Sequence, residues 1–356
     1  MPRGKAVALL SGGLDSRLAV KMVVDQGIEV VAVNFVTPFC TCTSHGCRSE
    51  ARLAALQLGV PLKVMNNSEA LLGAVRHPKH GHGRGLNPCL DCRILSFKRA
   101  AEYMEQVGAT FIVTGEVVGQ RPMSQRRKAM DIIEEEAGLT GRVLRPLSAR
   151  HLPPTQPELS GLIDRERLLG IVGRGRREQM DLAAEMGIND YPCPAGGCLL
   201  TDPVFAARLG VLLHEYPQVA MPQVTLMKAG RHFRSSVGEW IIIPRDDLEN
   251  RRLFNLRHAL SAVLEAQEVG GPQGGVMTRG TPSEVTLHEA AALVARYGQG
   301  REREEVDVLA YAPDDSWQRS LVVSPEEGAR LAERLEKIGG DKVPRPRSAH
   351  QPTAGC

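Results

Sequence analysis

Apolar and polar positions fall in blocks along the chain, and the blocks predict its elements. Ala-Val-Ala-Leu-Leu at 6–10 is an unbroken apolar run, too short for a buried helix, and it ends at a Gly-rich turn over 11–16. A buried parallel strand fits both facts. Helical spacing then covers 17–26 and stops at Gly27, and 28–36 is a second apolar strand, so the chain opens as a strand-helix-strand unit. Helices are predicted again at 47–58 and 93–107, each closed by a glycine (Gly59, Gly108), and strands at 61–65 and 110–114. This alternation predicts an α/β fold, a doubly wound parallel sheet with its ligand at the carboxyl ends of the strands.

Between these units, 75–92 reads as a loop carrying His77, Lys79, His80 and His82. Residues 145–160 are Pro-rich and predicted extended, with helical segments at 164–171 and 175–186. Past residue 200 the texture changes. Strands around a turn at Ser235–Gly238 are predicted within 223–244, a helix at 285–297 and a strand at 304–311, which together predict a second, smaller α+β domain. The expected boundaries are 1–200, 201–322 and 323–356, the last a carboxyl-terminal helix and a disordered tail over 341–356.

Composition narrows the class. A chain of 356 residues with 42% apolar and 24% charged residues is long enough for two cores and excludes wholesale disorder. It has no apolar run of membrane-spanning length and no signal-peptide pattern at its start, so it is expected to be cytoplasmic. A net charge of +3 is compatible with nucleic acid, while 4% aromatics weaken any reading built on many stacking platforms. Eight cysteines without a secretory signal point to metal, cluster or catalytic thiols rather than a disulfide scaffold.

The sharpest chemical signal is Ser11-Gly12-Gly13-Leu14-Asp15-Ser16, placed between a strand and a helix. Backbone N–H groups of such a turn, with the positive end of the helix dipole, suit a phosphate. Ser11 and Ser16 can add hydroxyl hydrogen bonds, and Asp15 can hold Mg²⁺ or its waters. The turn lacks the Gly-Lys-Ser/Thr of a Walker A loop and the spacing of a dinucleotide turn. Arg121 and Gln125 follow a predicted strand end, where a ligand would lie, whereas Arg174, Arg176 and Arg177 read equally as a charged helix face or a phosphate contact.

Ser-Gly-Gly-x-Asp-Ser after the first strand resembles the PP-loop of the ATP pyrophosphatase superfamily. Asn87-Pro88-Cys89-Leu90-Asp91-Cys92, then Gly108 to Glu116, is similar to the matching stretch of the tRNA thiouridine synthases, and the chain resembles their 4-thiouridine-synthase-like branch over about 5–200. Gly230-Arg231-His232-Phe233 and Glu249-Asn250 resemble, over a shorter stretch, the NFACT RNA-binding domain. The resemblance implies ATP and Mg²⁺ as cofactors, with ATP held by Ser11, Gly12, Gly13, Asp15, Ser16, Asn34, Phe35, Thr114 and Gly115. It further implies Asp15, Cys92 and Cys198 as catalytic residues, and Cys89, Cys92 and Cys198 as ligands of a [4Fe-4S] cluster with one iron open to sulfide.

Zinc on four of Cys40, Cys42, Cys47, Cys89 and Cys92 is the alternative, and any single cysteine could be an inert buried thiol. Cys193, five residues before Cys198, and Cys356 in the tail are left out of the expected site. The expected activity is ATP-dependent replacement of a uridine carbonyl oxygen by sulfur, releasing AMP and pyrophosphate. The partners would be tRNA or another RNA and a sulfur donor such as a cysteine desulfurase or free sulfide. An adenylating enzyme for a small carboxylate or carbonyl, and a non-catalytic RNA-binding module, are the competing readings; the oligomeric state is left open.

Overall fold

The computed structural model describes residues 4–40, 46–192 and 197–340, side chains of 46–48 excepted. The expectations for Cys42, Cys47, Cys193, Cys356 and the tail at 341–356 lie outside the described residues. The chain divides into two compact units meeting at Leu199 and Leu200. Among the described residues no helix is long and apolar enough to cross a membrane.

The first unit is the predicted parallel sheet. Strands β1 (Lys5–Leu9), β2 (Glu29–Val36), β3 (Leu62–Asn66), β4 (Phe111–Thr114) and β5 (Val143–Leu144) lie in the order β3-β2-β1-β4-β5, every pair parallel. The helices are α1 (Leu14–Val24), α2 (Gly46–Leu58), α3 (Ser68–Arg76), α4 (Cys89–Gln106), α5 (Arg127–Glu136), the single turn α6 (Gln156–Leu159) and α7 (Arg177–Glu185). Alternate residues of β1 enter opposite cores: Ala6 and Ala8 pack with Leu14 and Leu18 of α1, and Val7 and Leu9 with Phe97 and Met104 of α4. Both faces are therefore covered, which is why the strands read as continuous apolar runs. The strand order reverses between β1 and β4, so the crevice beyond their carboxyl ends is where such a sheet takes its ligand.

Two predicted boundaries shift in ways that bear on chemistry. Helix α1 begins at Leu14 rather than 17, placing Asp15 and Ser16 in its first turn. Helix α4 begins at Cys89 rather than 93, because Pro88 accepts the first helical hydrogen bond from Cys92 N–H (2.8 Å). Polar, His-rich composition hid the end of α3 before it. Residues 164–171 hold only a 3₁₀ turn at Arg165–Arg167, and the stretch predicted extended over 145–160 contains a 3₁₀ turn at Ala149–His151 and α6.

The second unit opens with α8 (Pro203–Glu215) and α9 (Met221–Leu226). It then builds an antiparallel sheet from β6 (Arg231–Arg234), β7 (Trp240–Ile243), β8 (Ala262–Ala266), β9 (Gly274–Met277), β10 (Val306–Tyr311) and β11 (Gln318–Val323), in the order β11-β10-β8-β9-β7-β6. Helix α10 (Asp247–Asn255) links β7 to β8. Helix α11 (Glu284–Tyr297) buries Leu287 and 290–295 against the sheet, and α12 (Pro325–Arg334) packs on α11 through Leu331. Gly230 N–H donates to Glu249 (3.0 Å), and Gln273 N–H donates to Asn250 Oδ1 (2.7 Å), so both acceptors serve the fold.

Candidate active site

β1 ends at Leu9 and α1 begins at Leu14, so the chain turns sharply at the carboxyl edge of the sheet. Gly12 has φ of +85°, and a Cβ there would stand 2.5 Å from the Glu50 carbonyl carbon, so only glycine fits. Gly13 is the N-cap of α1, and no side chain caps the helix. Its first-turn N–H groups are thereby left to an anionic ligand. Ser16 Oγ donates to the Gly13 carbonyl (2.8 Å) and lies 3.2 Å from Ser11 Oγ, fixing both hydroxyls on the loop.

Arg17, which the sequence reading passed over, holds this loop from beneath. Its buried guanidinium donates from Nε to the Gly12 carbonyl (2.8 Å) and from Nη1 to Gln57 and the Asp190 carbonyl. Burial lowers its pKa from the ordinary arginine value, against the pull of Asp190 and Glu50. The available signal was an arginine three residues after Leu14, on the apolar face of a short helix.

Asp15 Oδ2 accepts a hydrogen bond from Gln120 Nε2 (3.2 Å) and stands 3.5 Å from Arg176 Nη2. Its Oδ1 is buried and has no partner among the described residues; the same holds for Arg176 Nε. A carboxylate oxygen fixed beside a Gly-rich turn and left unsatisfied fits Mg²⁺ or a water bound to it. Buried Ser148 brings the Gln120 and Arg176 segments together: it accepts from Val118 N–H (3.0 Å) and donates to the Ile171 carbonyl (2.6 Å), and Gly173 N–H donates to the Val118 carbonyl (2.8 Å). Of the basic run at 174–177 it is thus Arg176 that reaches Asp15; Arg121 is exposed and Gln125 is buried.

The remaining nucleotide residues end the neighbouring strands. Thr114 is buried on β4, and a Cβ at Gly115 would stand 2.4 Å from the Asp15 carbonyl carbon, so β4 delivers a bare backbone against the loop. Asn34 on β2 donates to the Leu10 carbonyl (2.9 Å), its Oδ1 buried without a partner among the described residues, and half-buried Phe35 follows it. Ser11, Gly12, Gly13, Asp15, Ser16, Thr114 and Gly115 are brought together, with Asn34 tied to the same strand end.

Glu116, next after Gly115, links this loop to the thiols. Its buried carboxylate accepts from Arg93 (3.0 and 2.6 Å) and from Arg145 Nε (3.0 Å), and Arg145 also pairs with Glu134. Burial alone would raise the Glu116 pKa, but the two guanidinium groups hold it below the usual carboxylate range. Arg93 adjoins Cys92 in the first turn of α4. Burial pushes the Cys92 thiol up to about 12, Arg93 works against it, and Cys198 and Cys89 lie close enough to add to it. Cys89, Cys92 and Cys198 are outside any disulfide. Cys198 forms an isolated antiparallel backbone β-bridge with Cys40, next to the Leu199 N–H hydrogen bond to the Phe39 carbonyl (2.7 Å).

Among the described residues no group of three or more His, Cys, Asp or Glu side chains is placed to hold a metal ion. In a cubane cluster each thiolate binds a different iron, so its ligands stand farther apart than those of one ion. By donor type alone, Cys89, Cys92 and Cys198 are the soft ligands such a cluster takes. Cys40 is disulfide-bonded, which takes it out of the zinc set. The histidine loop has a supporting role: Asp91 accepts from Lys79 and His80 N–H (3.1 and 3.2 Å), both side chains meet Glu136 at 2.8 Å, and His82 Nε2 lies 2.9 Å from the Val75 carbonyl.

Known proteins match both units. Residues 2–151 match the family described as thiamine biosynthesis protein (ThiI), and residues 230–334 match the NFACT protein RNA binding domain. Over 117 residues the chain is 35% identical to the tRNA-specific 2-thiouridylase MnmA of Coxiella burnetii, covering 30% of this chain and 32% of that one. Against the enzyme of the same name from Symbiobacterium thermophilum it is 31% identical over 138 residues, covering 33% and 35%. The match spans about a third of the length of these curated relatives. A crystal structure of a 4-thiouridine synthetase–RNA complex with bound ATP is 28% identical, with a TM-score of 0.38, covering 52% of this chain and 41% of that one. The chain thus resembles the PP-loop tRNA thiouridine synthases in its first unit and the NFACT RNA-binding domain in its second.

Proposed function

We propose that the protein is a cytoplasmic, ATP-dependent sulfurtransferase that thiolates uridine in tRNA. The observation that carries this reading is one run of contacts: Asp15 against Gly115, then Glu116 to Arg93, then Cys92. It couples a phosphate loop to a thiol group at the carboxyl edge of a single sheet.

ATP phosphates lie over 11–16 and the adenine near the end of β2 at Val33–Phe35. Asp15 holds Mg²⁺, and Arg176 and Gln120 fix its carboxylate. A uridine carbonyl oxygen attacks the α-phosphorus; an O–P bond forms, the α–β phosphoanhydride breaks, and pyrophosphate leaves. Sulfide, supplied free or released from the persulfide of a cysteine desulfurase by a reducing thiol that becomes a disulfide, then forms a C–S bond at that carbon as the C–O bond breaks, and AMP departs with the oxygen. A [4Fe-4S] cluster on Cys89, Cys92 and Cys198 would supply an open iron for sulfide. Catalysis rests on orientation and fixed charge rather than on a strong base.

The test is AMP and pyrophosphate formation with ATP, sulfide and tRNA, with mass spectrometry of nucleosides from the digested RNA. Wild type forms pyrophosphate and a thiolated uridine, and Asp15→Ala forms neither. Equal turnover by Asp15→Ala would remove the phosphate-loop assignment. Pyrophosphate released only with a small carboxylate would move the acceptor away from RNA.

A further inference from the structure

Helix α10 of the second unit buries Glu249 and Leu253 and turns Leu248, Arg251, Phe254 and Asn255 outward at three- and four-residue spacing. Leu248 is 64% and Phe254 41% exposed, large apolar side chains left open among the described residues. Arg257 lies over the Phe254 ring, 4.2 Å from its centroid, and donates to the Phe254 carbonyl (3.0 Å). The ring is held in place and remains open to solvent.

Beside this face, half-buried Lys228 has no hydrogen bond or ion pair for its ammonium among the described residues. Burial first, and then the Arg252 guanidinium, lower it to about 8. Arg251, Arg252 and Arg257 likewise make no ion pair among the described residues. Of the nearby acids, Glu249 is bound by Arg245 and by Gly230 N–H, Asp246 caps α10, and exposed Asp247 stands one turn before Arg251 without an ion pair among the described residues. Beyond the helix, His258 opens onto a depression of about 340 Å³ also lined by Trp317 and Asp314. Two cations as close as Lys228 and Arg252 repel each other until an anion joins them. An exposed ring beside them selects an anion that carries a base.

We infer that the outer face of α10, with Lys228, is a contact surface for single-stranded RNA, with phosphates at Lys228 and Arg252 and a base stacked on Phe254. The inference rests on the RNA reading above and extends it to named residues. Arg257 is the positioning residue, keeping the ring flat to the incoming base.

The test is fluorescence anisotropy of a labelled single-stranded RNA oligonucleotide on the full chain, across a salt series. Lys228→Ala with Arg252→Ala should reduce the slope of log K against log salt by about 1.4, at about 0.7 per lost single-strand phosphate contact. Phe254→Ala should weaken binding about tenfold and leave the slope unchanged. Arg330→Ala, exposed on α12, should change neither. If the double variant loses thermal stability, Arg251→Ala and Phe254→Ala, both at exposed positions, decide the matter. No RNA binding by wild type would overturn the RNA reading itself. Wild-type binding that every α10 variant retains would overturn this surface alone, and equal competition by duplex RNA would remove the stacked base.

Discussion

At the residue scale, the phosphate loop is shaped by what its neighbours lack. Gly115 lies so close to Asp15 that a methyl group would sit 2.4 Å from two of its backbone atoms and 2.5 Å from Ser16 N. Those are backbone atoms, so no rotamer change relieves the clash. Gly115→Ala should therefore push β4 away from the loop, lowering stability by about 1–3 kcal/mol. Nucleotide binding should fall further than that loss explains. Comparing ATP affinity by equilibrium dialysis with thermal unfolding separates the two effects. An unchanged affinity in a folded variant would mean that ATP does not depend on the Asp15–Gly115 contact. The same crowding explains Arg17, which supports Gly12 from the buried side where an apolar residue would leave that carbonyl unbonded.

At the element scale, the buried network of Glu116, Arg93, Arg145 and Glu134 joins the start of α4 to β4, β5 and α5. Neutralising Glu116 leaves Arg93 without its partner and Arg145 with Glu134 alone, at a cost of about 3–5 kcal/mol. Glu116→Gln should lower the urea midpoint accordingly. Because the folded pKa of Glu116 is depressed, its stabilisation is present above the unfolded carboxylate value of about 4.3 and lost as pH falls through the folded one. The gap between wild type and Glu116→Gln should therefore narrow on acidification, and a gap independent of pH would contradict the ion-pair account. This network also marks where the sequence stopped being legible. Apolar runs gave β1, β2 and β4, and the Ser-Gly-Gly-x-Asp-Ser spacing gave the loop, since both are local patterns. Glu116, Arg145 and Gln120 carry no local pattern; their partners are distant in sequence, and only the sheet order brings them together. Helix α10 was missed for a related reason: its outward face mixes Leu248 and Phe254 with arginines, which blurs the apolar period.

At the scale of the whole molecule, the first unit gathers chemistry from both ends of its own sequence, and the second is built of antiparallel strands. Cys198 lies far along the chain from Cys89 and Cys92, yet it is within the electrostatic reach of Cys92, and its backbone bridges that of Cys40. A thiol that burial holds protonated at neutral pH is a poor free nucleophile, since the thiolate is the reactive form. Buried thiols of this kind become thiolates when a metal takes the proton's place. The full chain, purified without oxygen, should then carry about four irons and four sulfides. The Cys89→Ala, Cys92→Ala, Cys198→Ala variant should lose them while keeping its ATP affinity, which equilibrium dialysis reads. Iron, sulfide and zinc analysis with an ultraviolet–visible spectrum reads the outcome. Stoichiometric zinc and no iron would assign Cys89 and Cys92 a structural site. Metal-free protein that still thiolates RNA would mean that sulfur travels on a cysteine, and Arg93, the cation beside Cys92, would then be the group that makes its thiolate accessible.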